Sequence, residues 1–257
     1  MLVVVTGASS GIGEALSVKY AKAGHRVCLL SRTSSELTRV AQLCKAVSGT
    51  ADVHCVDVTD APAMQRVAEE IISAHGTPDV VIANAGIRIE DPENYIGSTA
   101  AQDVMQVNYF GVINTFAPFI SAMKDRQQGH LVAISSIGAI RATPNSGIYS
   151  ASKAAVNLWT EALRLKLSPH NITVTTAASG FVRTAMTSDL TFHMPGLLEP
   201  SQAADIISNA IESRKSRITF PWQSSLMWGV FGMLPGSLYD ALILCAKKYW
   251  PKRKTSC

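Results

Sequence analysis

Short apolar runs separated by helix-length amphipathic stretches recur from the first residue to about residue 180, and this alternation constrains the fold more than any other feature of the chain. Leu2–Thr6, Arg26–Ser31, Ala51–Val56, Val80–Ala83, Leu131–Ser135 and Thr173–Ala178 are short, rich in Val and Ile, and read as strands. Between them, segments such as Ala61–His75 and Asn157–Leu167 carry helical spacing. Strand, helix and strand in succession imply parallel pairing through right-handed crossovers, with helices over both faces of the sheet. Strands covered on both faces are continuously apolar, as Val3-Val4-Val5, Val27-Cys28-Leu29-Leu30 and Val80-Val81-Ile82 are. The expected fold class is therefore α/β, a doubly wound parallel sheet in a single domain over residues 1–220. A C-terminal apolar and basic extension, residues 221–257, follows it. No repeat, low-complexity tract or linker offers a second domain a beginning.

Directly after the first run comes Thr6-Gly7-Ala8-Ser9-Ser10-Gly11-Ile12-Gly13, leading into helical sequence. Glycines permit a tight turn and let backbone N–H groups approach a ligand, and the helix N-terminus beyond them favours negative charge. Gly7, Ser9, Ser10, Gly11, Ile12 and Gly13 are thus candidates to cradle the pyrophosphate of a dinucleotide. The spacing differs from G-x-G-x-x-G, although the physics is shared. No Gly-Lys-Ser or Gly-Lys-Thr follows, which excludes a Walker A site. The second strand ends in Ser31-Arg32-Thr33. An NAD site would place an acid there for the ribose 2′-hydroxyl, whereas a guanidinium suits a 2′-phosphate, so Arg32 points to NADP(H).

Tyr149-Ser150-Ala151-Ser152-Lys153 puts a phenol and an ammonium on one helix face. That spacing is common by chance, and its context gives it weight. Ser135-Ser136 ends the fifth strand thirteen residues before Tyr149, and Asn108 lies in the helix preceding that strand. Thr6 to Gly13, Asp57, Asn84-Ala85-Gly86, Asn108, Ser136, Tyr149 and Lys153 together resemble the short-chain dehydrogenase/reductase family, in its compact branch, over residues 2 to 185. The resemblance implies a Rossmann-type sheet and hydride transfer between a nicotinamide and a carbonyl or alcohol carbon. It implies that Asp57 contacts the adenine, and that Asn84, Ala85 and Gly86 line the cofactor. Gly180, Val182 and Thr184 would lie over the nicotinamide, Thr184 at its carboxamide. Lys153 would reach the nicotinamide ribose, Asn108 would hold a water linking the lysine to solvent, and two or four copies would pair through helices around 100–125 and 149–167. Ser179-Gly180 stands where the family usually has Pro-Gly, and Ala83 where a first asparagine often stands.

Reducing a carbonyl delivers hydride to carbon and a proton to oxygen, so an acid and a hydrogen-bond donor must converge on that oxygen. Tyr149 is the expected acid and Ser136 the second donor. An ammionium one turn away favours the phenolate, so Lys153 is expected to lower the Tyr149 pKa. A competing reading is an NADP-binding sensor or scaffold without catalysis, which would have no use for an acid.

The five cysteines include no C-x-x-C pair, and no metal site is expected. Neither a signal peptide nor a span opens the chain, which fits a reduced, cytoplasmic protein. The net charge of +4 resides in the tail, where Lys247, Lys248, Lys252, Arg253 and Lys254 occur without an acid. Without those five, the 23 Lys and Arg residues fall to 18 against 19 acids, which argues against a nucleic-acid surface on the body. Phe220 to Trp250 is the most apolar stretch, and its apolar run of about ten residues, broken at Pro235-Gly236, is too short to span a bilayer. It admits an amphipathic hairpin in a membrane surface, giving peripheral association, or a cover over the substrate pocket or a subunit contact, with nucleic-acid binding by the five basic residues as a minor third reading. Residues 184–200 read as a substrate lid, and Met186, Phe192, Met194, Leu197 and Leu198 in it favour a hydrophobic carbonyl or alcohol substrate.

Overall fold

Seven parallel strands form one sheet: β1 (Leu2–Thr6), β2 (Arg26–Ser31), β3 (Thr50–Cys55), β4 (Val80–Ala83), β5 (Gly129–Ser136), β6 (Ile172–Ser179) and β7 (Arg217–Phe220). The computed structural model describes residues 1–96, 98–188 and 194–247. Strand order is β3-β2-β1-β4-β5-β6-β7, so the chain reverses direction across the sheet between β1 and β4. In such a sheet ligands bind beyond the carboxyl ends of the strands at that reversal.

Alternate residues of each strand feed two separate cores. Leu2, Val4, Cys28, Leu30, Val81 and Leu131 face α3 (Ala61–His75), α5 (Gly111–Arg126) and α6 (Gly147–Leu167). Val3, Val5, Val27, Leu29, Ile82 and Val132 face α1 (Gly11–Lys22), α2 (Ser34–Ala46) and α7 (Pro200–Glu212). With both faces covered, every residue of β1 and β4 is buried, which is why these strands carry no polar alternation. The edge strand β3 has only β2 beside it and is part exposed.

The predicted strands occur within two residues of their expected limits. β7 was not anticipated, because Arg217-Ile218-Thr219-Phe220 is too short to stand out from the polar residues before it. The helix predicted over Ala61–His75 has those limits: Asp60 accepts a hydrogen bond from the Ala63 N–H at 2.9 Å, Pro62 opens the first turn, and Gly76 ends the helix. Such a cap contributes about 1 kcal/mol. Between α4 (Ala100–Met105) and α5, residues Gln106–Phe110 form a π-helical turn.

The C-terminal extension forms α8 (Trp222–Met233) and α9 (Gly236–Lys247), separated at Pro235 where the sequence predicted a break. No helix of the described residues is long and apolar enough to cross a membrane. Lys248 to Cys257, and Phe192 of the expected lid, lie outside the described residues.

Candidate active site

The glycine loop crosses the carboxyl end of β1 and opens into α1, as expected. Gly7 has φ +63°, a conformation that favours glycine. A Cβ on Gly13 would stand 2.6 Å from Asn84 Nδ2 and closer still to the Gly7 carbonyl, so only glycine fits there. Asn84 braces the loop from β4, donating from Nδ2 to the carbonyls of Thr6 at 3.0 Å and Gly7 at 3.1 Å. The Ala85 N–H donates to Thr6 Oγ1 at 3.3 Å. At the start of α1 the Ser10 side chain makes no capping hydrogen bond. The first-turn N–H groups of a helix lack intrahelical acceptors, so they remain available to an anion. A cradle with no room for side chains, ending in outward-facing donors, fits a dinucleotide pyrophosphate.

At the end of β2, Arg32 is two-thirds exposed, with Nη1 3.7 Å from Asp57 Oδ2. Asp57 Oδ1 accepts from the Thr59 N–H and Oγ1, both at 2.9 Å, which fixes the carboxylate at the rim of the cleft. A second guanidinium that sequence reasoning missed also meets the loop. Arg39 on α2 donates from Nη2 to the Ser9 carbonyl at 3.1 Å and to Glu14 Oε2 at 2.7 Å, and from Nε to Glu36 Oε2 at 2.8 Å. Its spacing from Glu36 predicts only the pair within the helix, since the links to Ser9 and Glu14 cross between elements.

Ser136, Tyr149 and Lys153 come together where β5 ends and α6 begins. The Ser136 hydroxyl accepts from the Gly138 N–H at 3.1 Å, which fixes it at the end of β5. It also lies beside the Tyr149 hydroxyl, where its influence favours the ionised phenol. Lys153 is 4% exposed and donates from Nζ to the Ile134 carbonyl at 3.0 Å, with Nζ 5.9 Å from the centre of the Tyr149 ring. Burial pulls the Lys153 ammonium down to about 8. For Tyr149 the expected lowering is not what the structure shows. Burial raises the phenol above its ordinary value, and the opposing influences are the Ser136 hydroxyl and the Arg88 charge rather than Lys153. A phenol held protonated is an acid ready to donate.

Asn108 is fully buried in the π-helical turn. Its Oδ1 accepts from the Ile87 N–H at 2.8 Å, and its Nδ2 donates to the Ile87 carbonyl at 2.9 Å and to Ser152 Oγ at 3.0 Å. The side chain thus clamps the strand-end segment 84–87 to α6. Gly86 lies between: a Cβ there would be 3.2 Å from Asn108 Oδ1 and 3.5 Å from Lys153 Nζ. A π-turn at this position agrees with the frequent use of such turns at functional sites.

After β6 the backbone of Gly180 donates to the Phe220 carbonyl at 2.6 Å. Val182 is buried and forms a bridge with Leu198, and the Thr184 methyl would lie 2.9 Å from a Cβ on Gly11, which puts Thr184 against the glycine loop. Leu198 packs into the core beneath α7, so of the expected lid residues it is committed to the fold and is not free to line a pocket. Above this loop sits α8. Ser224 Oγ donates to the Pro195 carbonyl at 3.0 Å, and further along the helix a Cβ on Gly232 would stand 2.9 Å from the Ile140 side chain. The C-terminal extension therefore packs from residues 195–196 across to the loop that leads into α6.

The family profile of short chain dehydrogenases matches residues 1–194. An uncharacterised oxidoreductase of Mycobacterium bovis is 37% identical over 228 residues, 86% of this chain and 67% of that protein. A protein of Acinetobacter baylyi named fatty acyl-CoA reductase is 33% identical over 219 residues, 84% of this chain and 74% of that protein. Among solved structures, a short chain dehydrogenase of Mycobacterium paratuberculosis bound to NAD superposes with a TM-score of 0.78 at 25% identity, covering 85% of this chain and 95% of that one. With that match over most of its length and a loop built for a dinucleotide, the chain belongs to the short-chain dehydrogenase/reductase family, oxidoreductases that work with a nicotinamide cofactor.

Proposed function

We propose that this chain is an NADP(H)-dependent oxidoreductase that interconverts a carbonyl and an alcohol on a hydrophobic substrate. The observation that carries the reading is the convergence of Ser136, Tyr149 and Lys153 at the carboxyl end of β5, beside the glycine loop. When bound, the nicotinamide supplies the hydride that adds to the carbonyl carbon. Ser136 donates a hydrogen bond to the carbonyl oxygen and Tyr149 transfers its hydroxyl proton to that oxygen, which completes the alcohol. Lys153, anchored on Ile134 by one N–H, has two further N–H groups to hold the ribose and to return a proton to Tyr149. Asn108 keeps the segment carrying Gly86 registered on α6, so the ribose side of the cleft stays in place. In the reverse direction each proton moves back along the same groups.

Arg32 supports NADP(H): it stands exposed at the end of β2, where the ribose 2′ position of the adenosine would lie, and no acid occupies the place an NAD site uses. The apolar side chains Met186, Met194 and Leu197 and the apolar helix α8 support a hydrophobic substrate. The acyl chain implied by the name of the Acinetobacter relative is of the same character. Pairing of copies through α5 and α6 is part of the proposal, and Phe110, Leu158 and Leu165 are exposed there.

Tyr149→Phe tests the chemistry. The variant is expected to lose at least a thousandfold in turnover across a carbonyl panel while binding NADPH within about threefold of the parent, as measured by fluorescence titration. Retained turnover removes Tyr149 from the acid role, and a parent inactive on every carbonyl leaves the binding-protein alternative.

A further inference from the structure

We propose that the outer face of α8 and α9 docks on the surface of an anionic lipid bilayer. Most of what α8 buries is its inner side, where Ser224 and Trp228 are the buried residues. On the outer side Trp222 is 71%, Leu226 63%, Val230 44% and Met233 79% exposed. At 100° per residue these four positions fall within an arc of about 80°. They form one stripe along the helix. In α9, Tyr239 is the one buried side chain among those described, and Leu238 and Leu242 project outward. A helix this apolar with so little of itself covered calls for a partner surface.

The hairpin is nevertheless held firmly. Arg141 donates from Nη2 to the Leu234 carbonyl at 2.5 Å and from Nε to the Phe231 carbonyl at 3.2 Å, and its guanidinium lies 4.9 Å from the Tyr239 ring centre. The Tyr239 hydroxyl donates to the Ala142 carbonyl at 2.7 Å. The link between the helices is thus latched to the loop before Tyr149, and the apolar stripe faces away from the body as a fixed surface.

Charge selects the occupant. From Lys247 onward the sequence carries five cations and no acid, while the remainder of the chain holds 18 basic and 19 acidic residues. An anionic bilayer accepts both the apolar stripe and the cations that the sequence places after α9. Each helix has 12 residues, about 18 Å, so both lie in the interface plane and do not span it. The surface stands apart from the proposed chemistry. What it adds to that reading, and rests on it for, is a route by which an apolar substrate passes from the bilayer into the cleft.

Flotation of the full chain with vesicles tests the proposal. Vesicles of phosphatidylcholine with about one third phosphatidylglycerol are expected to carry the protein. Pure phosphatidylcholine vesicles should bind at least tenfold more weakly, as should the anionic vesicles at about 0.5 M salt. Leu226→Glu with Met233→Glu, and separately Gln at all five tail cations, are each expected to weaken flotation at least tenfold. Turnover of a water-soluble aldehyde should stay within about twofold in both, which shows that the variants fold. No flotation of the parent, or equal flotation on neutral vesicles, overturns the proposal. So does an absence of flotation together with a drop in oligomer size for the Glu variant, which would assign the face to a second copy. Flotation without turnover sinks only the enzymatic reading, and turnover without flotation sinks only the docking.

Discussion

Lys153→Met separates the stability of the fold from the chemistry of the site, and the burial of the ammonium gives the effect its sign and approximate size. The Lys153 ammonium is 4% exposed and is pulled by burial from 10.5 to about 8, so the folded chain gives up this proton more readily than the unfolded chain. Because the unfolded state binds more protons between about pH 8 and 10.5, stability rises with pH through that window. At about pH 7 the cost of keeping the charge buried is about 3 kcal/mol, from 1.36 kcal/mol per decade of binding constant. At about pH 9.5 the folded lysine is already neutral and the cost has shrunk to about 1.4 kcal/mol. Methionine has no such charge. Its lost hydrogen bond to the Ile134 carbonyl costs about 1 kcal/mol, and that loss is the same at both pH values. The cofactor-free variant is therefore expected to be more stable than the parent at pH 7, with its advantage falling by about 2 kcal/mol by pH 9.5. Urea unfolding at the two pH values, followed by circular dichroism, measures the difference directly. Turnover should fall at least a hundredfold in the same variant. A stability difference that does not change with pH would refute the account of a strained, buried ammonium.

Arg32→Asp is expected to reduce the preference for NADPH over NADH at least tenfold, read as the ratio of kcat/KM values, because a carboxylate then faces the place of the 2′-phosphate. An unchanged ratio would mean that another group, with Arg39 the nearest alternative, reads the phosphate. His130 sits in β5, 5% exposed, with Nε2 2.7 Å from Thr175 Oγ1, and burial draws its pKa from 6.5 down to about 4. The unfolded chain takes up this proton first, so as pH falls from about 6.5 to about 4 the fold should lose about 3 kcal/mol that His130→Gln does not lose. Urea midpoints for both proteins that fall in parallel across that range would show that His130 is not the cause.

The legible parts of the molecule are those governed by near neighbours in the chain. A strand covered on both faces must be apolar at every position, so β1, β2 and β4 could be delimited from Val, Ile and Leu alone. Asp60, Pro62 and Gly76 bound α3 through contacts within a few residues. The glycine loop was visible as a candidate phosphate cradle because such a cradle needs small residues between a strand and a helix, and the one-turn spacing of Tyr149 and Lys153 is a helix-face relation. Four-residue β7 carries too little pattern to be seen until β6 pairs with it.

Other features depend on which elements the sheet order brings together. The anchor of Lys153 on Ile134, the clamp of Asn108 on Ile87 and Ser152, and the reach of Arg39 to Ser9 join residues 19 to 44 positions apart. The latch of Arg141 on the α8–α9 junction crosses 93. The same is true of the Tyr149 pKa: residue types suggested that a nearby cation would lower it, and packing raised it, because desolvation depends on what surrounds the phenol. Sequence by itself determined the parallel α/β sheet, the glycine loop between its first strand and helix, and the candidates for the reacting groups, since local pattern and chemistry suffice for those. The tertiary structure decided the direction in which burial moves the Tyr149 and Lys153 protons, the braces behind the site and the packing of the apolar tail against the loops at 140 and 195, since each arises from burial and contact between segments far apart in the chain.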